Sequence, residues 1–185
     1  MHDDGMTTPS AVLNFWFNEL APGQLFMRDD AVDAQIAHQF AQLHAELARE
    51  VPPAWTATPH ALLAAVIVLD QFSRNLFRED ARAFAQDTTA LGLAENAIAQ
   101  GWDIDLSAPE KQFLYMPLMH SEVLANVERC IALMHTTGHA DGEAFARRHA
   151  SVIARFGRYP ARNAALGRET TSEEAAFLNS NPHGF

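Results

Sequence analysis

The feature that most constrains this fold is a helical repeat of apolar residues that stops at a pair of prolines. Apolar side chains recur at steps of four, four, three, four and four residues, at Val32, Ile36, Phe40, Leu43, Leu47 and Val51. This spacing places them on one face of an amphipathic helix. The repeat ends before Pro52-Pro53, because proline lacks the amide hydrogen that a continuing helix needs. A helix with one apolar face requires other elements to cover that face.

Start signals for further helices occur along the rest of the chain. Thr8-Pro9 and Thr58-Pro59 combine a capping threonine with a first-turn proline. Capping boxes begin at Ser107 and Thr171, each with a glutamate three residues later. No segment alternates between apolar and polar residues as a strand would. The sequence therefore predicts one all-α domain of seven to nine helices over residues 9–185, after a disordered tail over residues 1–8.

The sequence also predicts where several of the helices begin, end or bend. The pattern predicts a helix over about residues 84–100, ended by Gly101. Pro117 falls inside a helical stretch and must kink it or start a new helix. We expect helix to continue over residues 121–136, and a further helix to begin at Asp141 or Gly142.

Composition narrows the class of protein. Of the 185 residues, 48% are hydrophobic, and no apolar run reaches the roughly 18 residues of a membrane span. The first residues lack the pattern of a signal peptide, so we predict a cytoplasmic protein without a membrane partner. A net charge of −10 argues against nucleic-acid binding. The single cysteine, Cys130, excludes an internal disulfide and is interpreted as a small buried side chain.

Charged residues directly follow strongly apolar sequence at three places. The junctions join residues 61–69 to 70–75, residues 113–119 to 120–122, and residues 152–154 to 155–163. Burying charge is costly unless the charge is paired. Three such junctions in one small domain predict one shared polar centre.

Positive charge is concentrated near the third junction. Lys111 is the only lysine, and six arginines fall between positions 147 and 168. The arginine side chain offers a planar fork of donors that suits carboxylate or phosphate. The sequence therefore favours a helical scaffold with an arginine-rich pocket for an anionic small molecule or an acidic peptide end. No cofactor and no metal are expected.

The candidate site residues come from the three junctions and the segments beside them. An enzyme would use His120 with Glu122 or another carboxylate as general acid or base. The candidate ligand-binding residues are Asp70, Arg74, Asn75, Tyr115, His149, Arg155, Arg158, Arg162 and Asn163.

Each candidate site residue or group also has a purely structural interpretation. Asp70 and Arg74 are four residues apart and share a helix face, so they could form only a buried ion pair. His149 lies on an apolar stripe where a hydrogen-bonded core histidine is ordinary, although with His120 and Glu122 it could complete a metal site. The arginine-rich loop could simply pin the last helices. An interaction module that binds a protein partner is a further alternative.

These motifs resemble a bacterial family of unknown function. The shared segments are Phe15-Trp16-Phe17, residues 69–75, residues 113–122, residues 155–163 and residues 166–174. The segment over residues 113–122 matches the family pattern unchanged, whereas Ser73, Tyr159 and Ala161 replace a proline, a phenylalanine and a histidine. The resemblance covers about residues 10–180 in the same order. It implies a tetratricopeptide-like right-handed stack of helices and says little about activity.

Overall fold

Helices begin at the capping residues that the sequence marks. The computed structural model describes residues 7–138 and 140–181. The hydroxyl oxygens of Thr8, Thr58 and Thr171 each accept a hydrogen bond from an amide three residues ahead. These caps open α1 (Pro9–Asn14), α3 (Pro59–Val66) and α9 (Ser172–Ser180), because each satisfies an amide that has no partner within its helix.

The remaining α-helices complete an all-helical chain. They are α2 (Asp30–Arg49), α4 (Ser73–Leu76), α5 (Asp87–Ala99), α6 (Ala108–His120), α7 (Leu124–Thr136) and α8 (Ala140–Phe156). π-helical segments extend α1 over Phe15–Glu19 and join α3 to α4 over Ile67–Phe72, and short 3-10 turns cover Pro22–Leu25, Pro53–Trp55, Ala81–Phe84 and Pro160–Arg162. With α3 and α4 counted as one continuous helix, the described residues form eight helices and no strand. The predicted all-α class is confirmed.

The centre of the core is the helix formed by α3 and its π-helical extension. Every side chain from Leu62 to Leu69 is fully buried, which explains why that run is apolar on all sides. Aromatic rings surround Phe72: Phe15, Trp16 and Phe40 all lie within 6.2 Å of it, centroid to centroid. Burial of these rings and of the α3 aliphatic side chains supplies the main apolar stabilisation.

The first helices pack around this central element, and from α5 to α8 each helix packs on the next one in the chain. α1 and α5 both contact α3, and α2 contacts α4. α6 packs on α5 and α7, and α7 packs on α8. A second, smaller core consists of Val127, Val152, Ile153 and Tyr159. Gly157, with φ of 69°, adopts a left-handed conformation just after α8 and turns the chain toward the final loop.

Three boundaries differ from the sequence prediction. The helix predicted from residue 84 begins at Asp87, because residues 81–84 form a 3-10 turn. α8 begins at Ala140 rather than at Asp141 or Gly142. The expected helix over residues 121–136 is wrong in its first turn: α6 continues through Pro117 to His120, Ser121 is extended, and α7 begins at Leu124. Proline removes one amide donor, and the chain leaves the helix three residues later.

The ends of the chain carry two further results. The predicted tail over residues 1–8 lies outside the described residues except for Thr7 and Thr8, and Thr8 caps α1. Within the part of the chain that is described, no helix is both long enough and apolar enough to cross a lipid bilayer.

Candidate functional site

The first junction buries a carboxylate, that of Asp70. Its side chain is 1% exposed and lies in the π-helical segment between α3 and α4. The carboxylate contacts His120 Nδ1 at 2.7 Å, Gln71 Nε2 at 2.5 Å and Arg74 Nη1 at 3.2 Å. Burial alone would raise the pKa of Asp70, but Arg74 and His120 outweigh burial and hold the pKa well below its usual value. Asp70 is therefore a buried anion with three partners.

His120 ends α6 and faces Asp70 through one ring nitrogen. Because an ionised carboxylate can only accept, Nδ1 must carry the hydrogen that it donates to Asp70. Burial and the nearby Arg74 lower the pKa of His120, and Asp70 only partly opposes them. The imidazole is thus neutral at pH 7, and Nε2 carries the free lone pair. Nε2 bonds to no described residue, and the His120 side chain as a whole is 14% exposed.

Arg74 and Arg162 meet at a second carboxylate, Asp87, the first residue of α5. Arg74 Nη2 lies 3.1 Å from Asp87 Oδ1, and Arg162 Nη1 lies 3.0 Å from Oδ2. Arg162 Nη2 also donates to the His120 carbonyl oxygen at 2.8 Å, one of the terminal carbonyls that α6 leaves without a helical partner. We refer to the group formed by Asp70, Arg74, Asp87, His120 and Arg162 as the polar centre.

Aromatic rings hold the Arg162 guanidinium in place. It lies 4.7 Å from the ring centroid of Phe84 and 4.7 Å from that of Tyr159. The Tyr159 hydroxyl donates to the Met119 carbonyl oxygen at 2.5 Å, which ties the ring to the end of α6. Burial lowers the pKa of Arg162, but an arginine remains charged at neutral pH. The guanidinium is therefore a fixed positive charge beside His120.

His149 on α8 borders the polar centre without joining its ion pairs. Its ring centroid is 6.4 Å from that of His120 and 5.5 Å from that of Tyr159. Nδ1 lies 2.9 Å from the Phe145 carbonyl oxygen, the backbone contact that a buried helical histidine commonly makes. Burial lowers the pKa of His149 to about 3, so this ring is neutral across the physiological range.

A second polar cluster ties the last helix to the arginine-rich loop. It comprises Glu122, Arg158, Asn163, Arg168 and Glu174, and we call it the C-terminal clasp. Arg168 binds both oxygens of Glu122 at 2.7 and 2.9 Å, and Arg158 binds both oxygens of Glu174 at 2.7 and 2.9 Å. Asn163, fully buried, contacts Arg168 and Glu174. Paired carboxylates and guanidiniums of this kind hold a loop without needing a ligand.

Residues 12–182 of the chain match the model of a bacterial protein family of unknown function, DUF924. The chain belongs to this family. It is also similar to a solved protein of unknown function, ATU0120 from Agrobacterium tumefaciens, at 34% sequence identity and a TM-score of 0.87. That match covers 93% of this chain and 97% of the other. No curated protein sequence matches the chain. Every residue of the polar centre and of the C-terminal clasp lies within the range that matches DUF924.

The structure brings some of the sequence-predicted residues of this DUF924 member together. Asp70, Arg74, His120 and Arg162 meet in the polar centre, and His149 lies next to it. Glu122, Arg158 and Asn163 lie in the C-terminal clasp instead. The backbone joins the two groups, because the Tyr159 amide donates to Glu122 at 2.8 Å.

The other three predicted residues lie apart from both groups. Asn75 donates to Asp33 at 2.7 Å and thereby links α4 to α2. The Tyr115 hydroxyl donates to Asp103 at 2.6 Å, and burial raises the pKa of that hydroxyl well above its usual value. Arg155 is exposed and pairs with Glu173 at 2.8 Å. These three side chains already have protein partners that account for them.

Sequence reasoning missed Asp87, Phe84 and Arg168. Asp87 begins a helix, where an acidic residue is common for electrostatic reasons, so nothing local distinguished it. Phe84 was predicted as the first residue of a helix but ends a 3-10 turn, and nothing local marked its ring as a partner of arginine. Arg168 was counted among the arginines of the loop but not assigned to the site. Only the tertiary fold reveals their partners, at Arg74, Arg162 and Glu122.

The three residues expected from the resemblance to depart from the family pattern, Ser73, Tyr159 and Ala161, have separate surroundings. The Ser73 hydroxyl donates to the Leu69 carbonyl at 2.5 Å and contacts His44 Nε2 at 2.8 Å. Tyr159 uses the hydroxyl that phenylalanine lacks to bond Met119. Ala161 is exposed in the turn next to Arg162, and nothing in the structure explains its replacement of a histidine.

Within the described residues, no metal-binding group lies at the polar centre, and one surface groove lies apart from it. Among residues 7–138 and 140–181, no three His, Cys, Asp or Glu side chains are grouped to hold a metal ion. The carboxylate of Glu122, considered for such a site, is bound by Arg168. A surface groove of about 950 Å³ lies at the starts of α1, α3 and α6, and its lining includes Leu13, Phe17, His60 and Glu110.

Proposed function

We propose that the polar centre binds a small anionic molecule, or the acidic end of a peptide, beside His120. The observation that carries the proposal is the meeting of two guanidiniums, those of Arg74 and Arg162, at Asp87. Arginine pairs of this kind suit a carboxylate or phosphate, because each guanidinium offers five N–H donors in a fixed plane.

Arg74 and Arg162 each have an N–H donor that is not hydrogen-bonded to a described residue. Their contacts with described residues use the Nη atoms, and neither Nε–H bonds to a residue in that part of the chain. The Arg74 side chain is 21% exposed and that of Arg162 is 12% exposed. Charge-assisted hydrogen bonds formed at such partly buried donors are stronger than those formed in water.

The polar centre is electrically balanced before a ligand binds. Asp70 and Asp87 offset Arg74 and Arg162, and His120 is neutral. An incoming anion therefore binds through hydrogen bonds and local field rather than through a net excess of positive charge. This arrangement favours a compact ligand with one or two anionic groups over a long polyanion, which needs a basic surface.

Rigidity of the site supports binding. The Arg162 guanidinium is held between two rings and by two hydrogen bonds, so little side-chain entropy is lost when a ligand binds. Arg74 is likewise held by Asp70 and Asp87.

Isothermal titration calorimetry with inorganic phosphate and with succinate tests the proposal. The wild-type protein is expected to bind at least one of these anions saturably. The change Arg162→Gln removes the charge and leaves a shorter polar side chain, and it should weaken binding by roughly ten- to a hundredfold.

The matched control is Arg155→Gln, which removes an exposed arginine that pairs with Glu173 outside the polar centre. It should bind both anions like wild type. Circular dichroism melting checks that each variant is folded. Equal binding by folded Arg162→Gln, or no binding of either anion by wild type, would overturn the proposal and leave the polar centre as a structural tie between helices.

Three further predictions from the sequence concern the type of helical stack, the cellular location and a protein partner. We infer a tetratricopeptide-like stack from the motif resemblance and the antiparallel pattern expected of short connections. A cytoplasmic location and a protein partner stay predictions.

A further inference from the structure

The ring nitrogen of His120 that faces away from Asp70 has an unused lone pair. Nδ1 donates to the buried Asp70 carboxylate at 2.7 Å, which fixes both the tautomer and the ring orientation. Nε2 is therefore an acceptor that bonds to no described residue, on a side chain that is 14% exposed. A base whose second nitrogen is oriented by a buried carboxylate has the arrangement required for proton abstraction.

The surroundings of His120 keep this base unprotonated. The charged and titratable groups that face it are Asp70 on the π-helical segment, Arg74 on α4, Asp87 on α5, His149 on α8 and Arg162 in the final loop. Burial and Arg74 lower its pKa, and the two carboxylates oppose that effect. His149 adds no charge near neutral pH, because burial holds its own pKa at about 3.

Three buried hydroxyl or thiol groups of the described residues already donate to backbone carbonyls. The Tyr159 hydroxyl donates to Met119, the Ser73 hydroxyl to Leu69 and the Cys130 thiol to Tyr115, in each case to a backbone carbonyl. Burial also raises the pKa of the Cys130 thiol to about 12, which removes its nucleophilic form. These three groups are therefore not the source of a proton for His120, and a water molecule is the proton source considered below.

We propose that His120 is a general base that activates water to hydrolyse an ester of an anionic carboxylic acid bound at the polar centre. Asp70 is a positioning residue in this scheme, and Arg74 and Arg162 attract the substrate's anionic group. This inference rests on the proposed function, because the same two arginines bind the substrate.

The proposed hydrolysis is balanced in atoms, protons and electrons. Nε2 takes one proton from water while the water oxygen bonds to the ester carbon, and the carbonyl electron pair moves onto the carbonyl oxygen. When the tetrahedral intermediate collapses, the bond between carbon and the leaving oxygen breaks, and that oxygen takes the proton from Nε2. The products are a carboxylic acid, which ionises in water, and an alcohol, and His120 is again neutral.

The test is hydrolysis of the mono-4-nitrophenyl ester of succinic acid, followed by release of 4-nitrophenol. Wild type is expected to hydrolyse this anionic ester faster than neutral 4-nitrophenyl acetate. His120→Gln should lower kcat by roughly a hundredfold or more. The wild-type rate should rise with pH through an apparent pKa below 6.5 and then level off, because the unprotonated imidazole is the active form.

A matched control is His135→Gln. His135 Nδ1 contacts Glu143 at 2.8 Å, but its side chain is 76% exposed and lies outside the polar centre, so its loss should leave the rate unchanged. An equal rate in folded His120→Gln, or no wild-type hydrolysis above the buffer rate, would overturn the inference.

Binding measurements separate this failure from failure of the proposed function. If succinate binds in an Arg162-dependent manner while hydrolysis does not depend on His120, the anion site stands and the general base is refuted. If neither succinate nor phosphate binds and the ester is not hydrolysed, both proposals fail.

Discussion

At the scale of single residues, Asp70 is the charge on which the polar centre depends. Its carboxylate is 1% exposed and contacts His120, Gln71 and Arg74. The change Asp70→Asn keeps the side-chain size but removes the charge that balances a partly buried guanidinium. We expect the free energy of unfolding to fall by about 3–5 kcal/mol, measured by urea denaturation.

The comparison for this change is Asp30→Asn. Asp30 pairs with Arg28 at 3.3 Å, but its side chain is 86% exposed. An exposed pair contributes little, so this variant should remain within about 1 kcal/mol of wild type. A loss at Asp70 no larger than the loss at Asp30 would show that the buried carboxylate is not balanced as described.

Residue spacing predicted only part of the polar centre. The four-residue step from Asp70 to Arg74 indicated a shared helix face, and the two side chains do contact. The partner of Asp70 on α6 is fifty positions away, and no local signal connects them. Arginine count pointed to the final loop, yet it could not tell Arg162, which reaches the polar centre, from Arg155, which pairs at the surface.

At the scale of elements, α9 depends on the C-terminal clasp. Hydrogen bonds from Arg158 and from the Thr171 amide lower the pKa of Glu174 to about 2, against an ordinary value of 4.5. A carboxylate with a depressed folded-state pKa stabilises the fold above its unfolded pKa and loses that contribution as pH falls toward the folded value. We therefore expect the helical NMR shifts of Ser172–Ser180 to weaken between about pH 4.5 and 2.

Two variants isolate the contribution of Glu174. Glu174→Gln should weaken the helical shifts of α9 already at neutral pH and flatten their dependence on acid. Glu173→Gln is the matched control, since the neighbouring Glu173 side chain is 64% exposed and, among the described residues, its ion pair is with the exposed Arg155. If both variants follow the wild-type acid curve, the clasp does not hold α9.

Helix starts marked by a capping threonine were easier to predict than the other helix boundaries. Thr8, Thr58 and Thr171 all accept the capping bond that their sequence context predicts. The end of α6 was misplaced, because Pro117 marks a weak point without stating where the chain leaves the helix. Side chains from the final loop decide that point: Tyr159 and Arg162 bind the carbonyls of Met119 and His120.

At the scale of the whole molecule, the fold was predictable and the assembly of the site was not. Cap signals and apolar periodicity are local, and they predicted an all-helical chain. The polar centre combines a π-helical segment, α4, α5, α6 and the final loop, and it forms only when those elements pack. The similarity to the solved Agrobacterium tumefaciens protein extends over 93% of this chain, with a TM-score of 0.87, so the two chains share their helix packing over that length.

The central claim is that an anion binds at Arg74 and Arg162 beside His120, and nitrogen-15 NMR of the imidazoles locates such binding directly. At pH 7, His120 should show a protonated Nδ1 and an unprotonated Nε2. Titration with phosphate or with succinate, whichever binds in calorimetry, should shift the His120 signals saturably in wild type, and Arg162→Gln should need a roughly ten- to a hundredfold higher anion concentration for the same shift. A bound anion that shifts other histidines while the His120 signals stay fixed would contradict the claim.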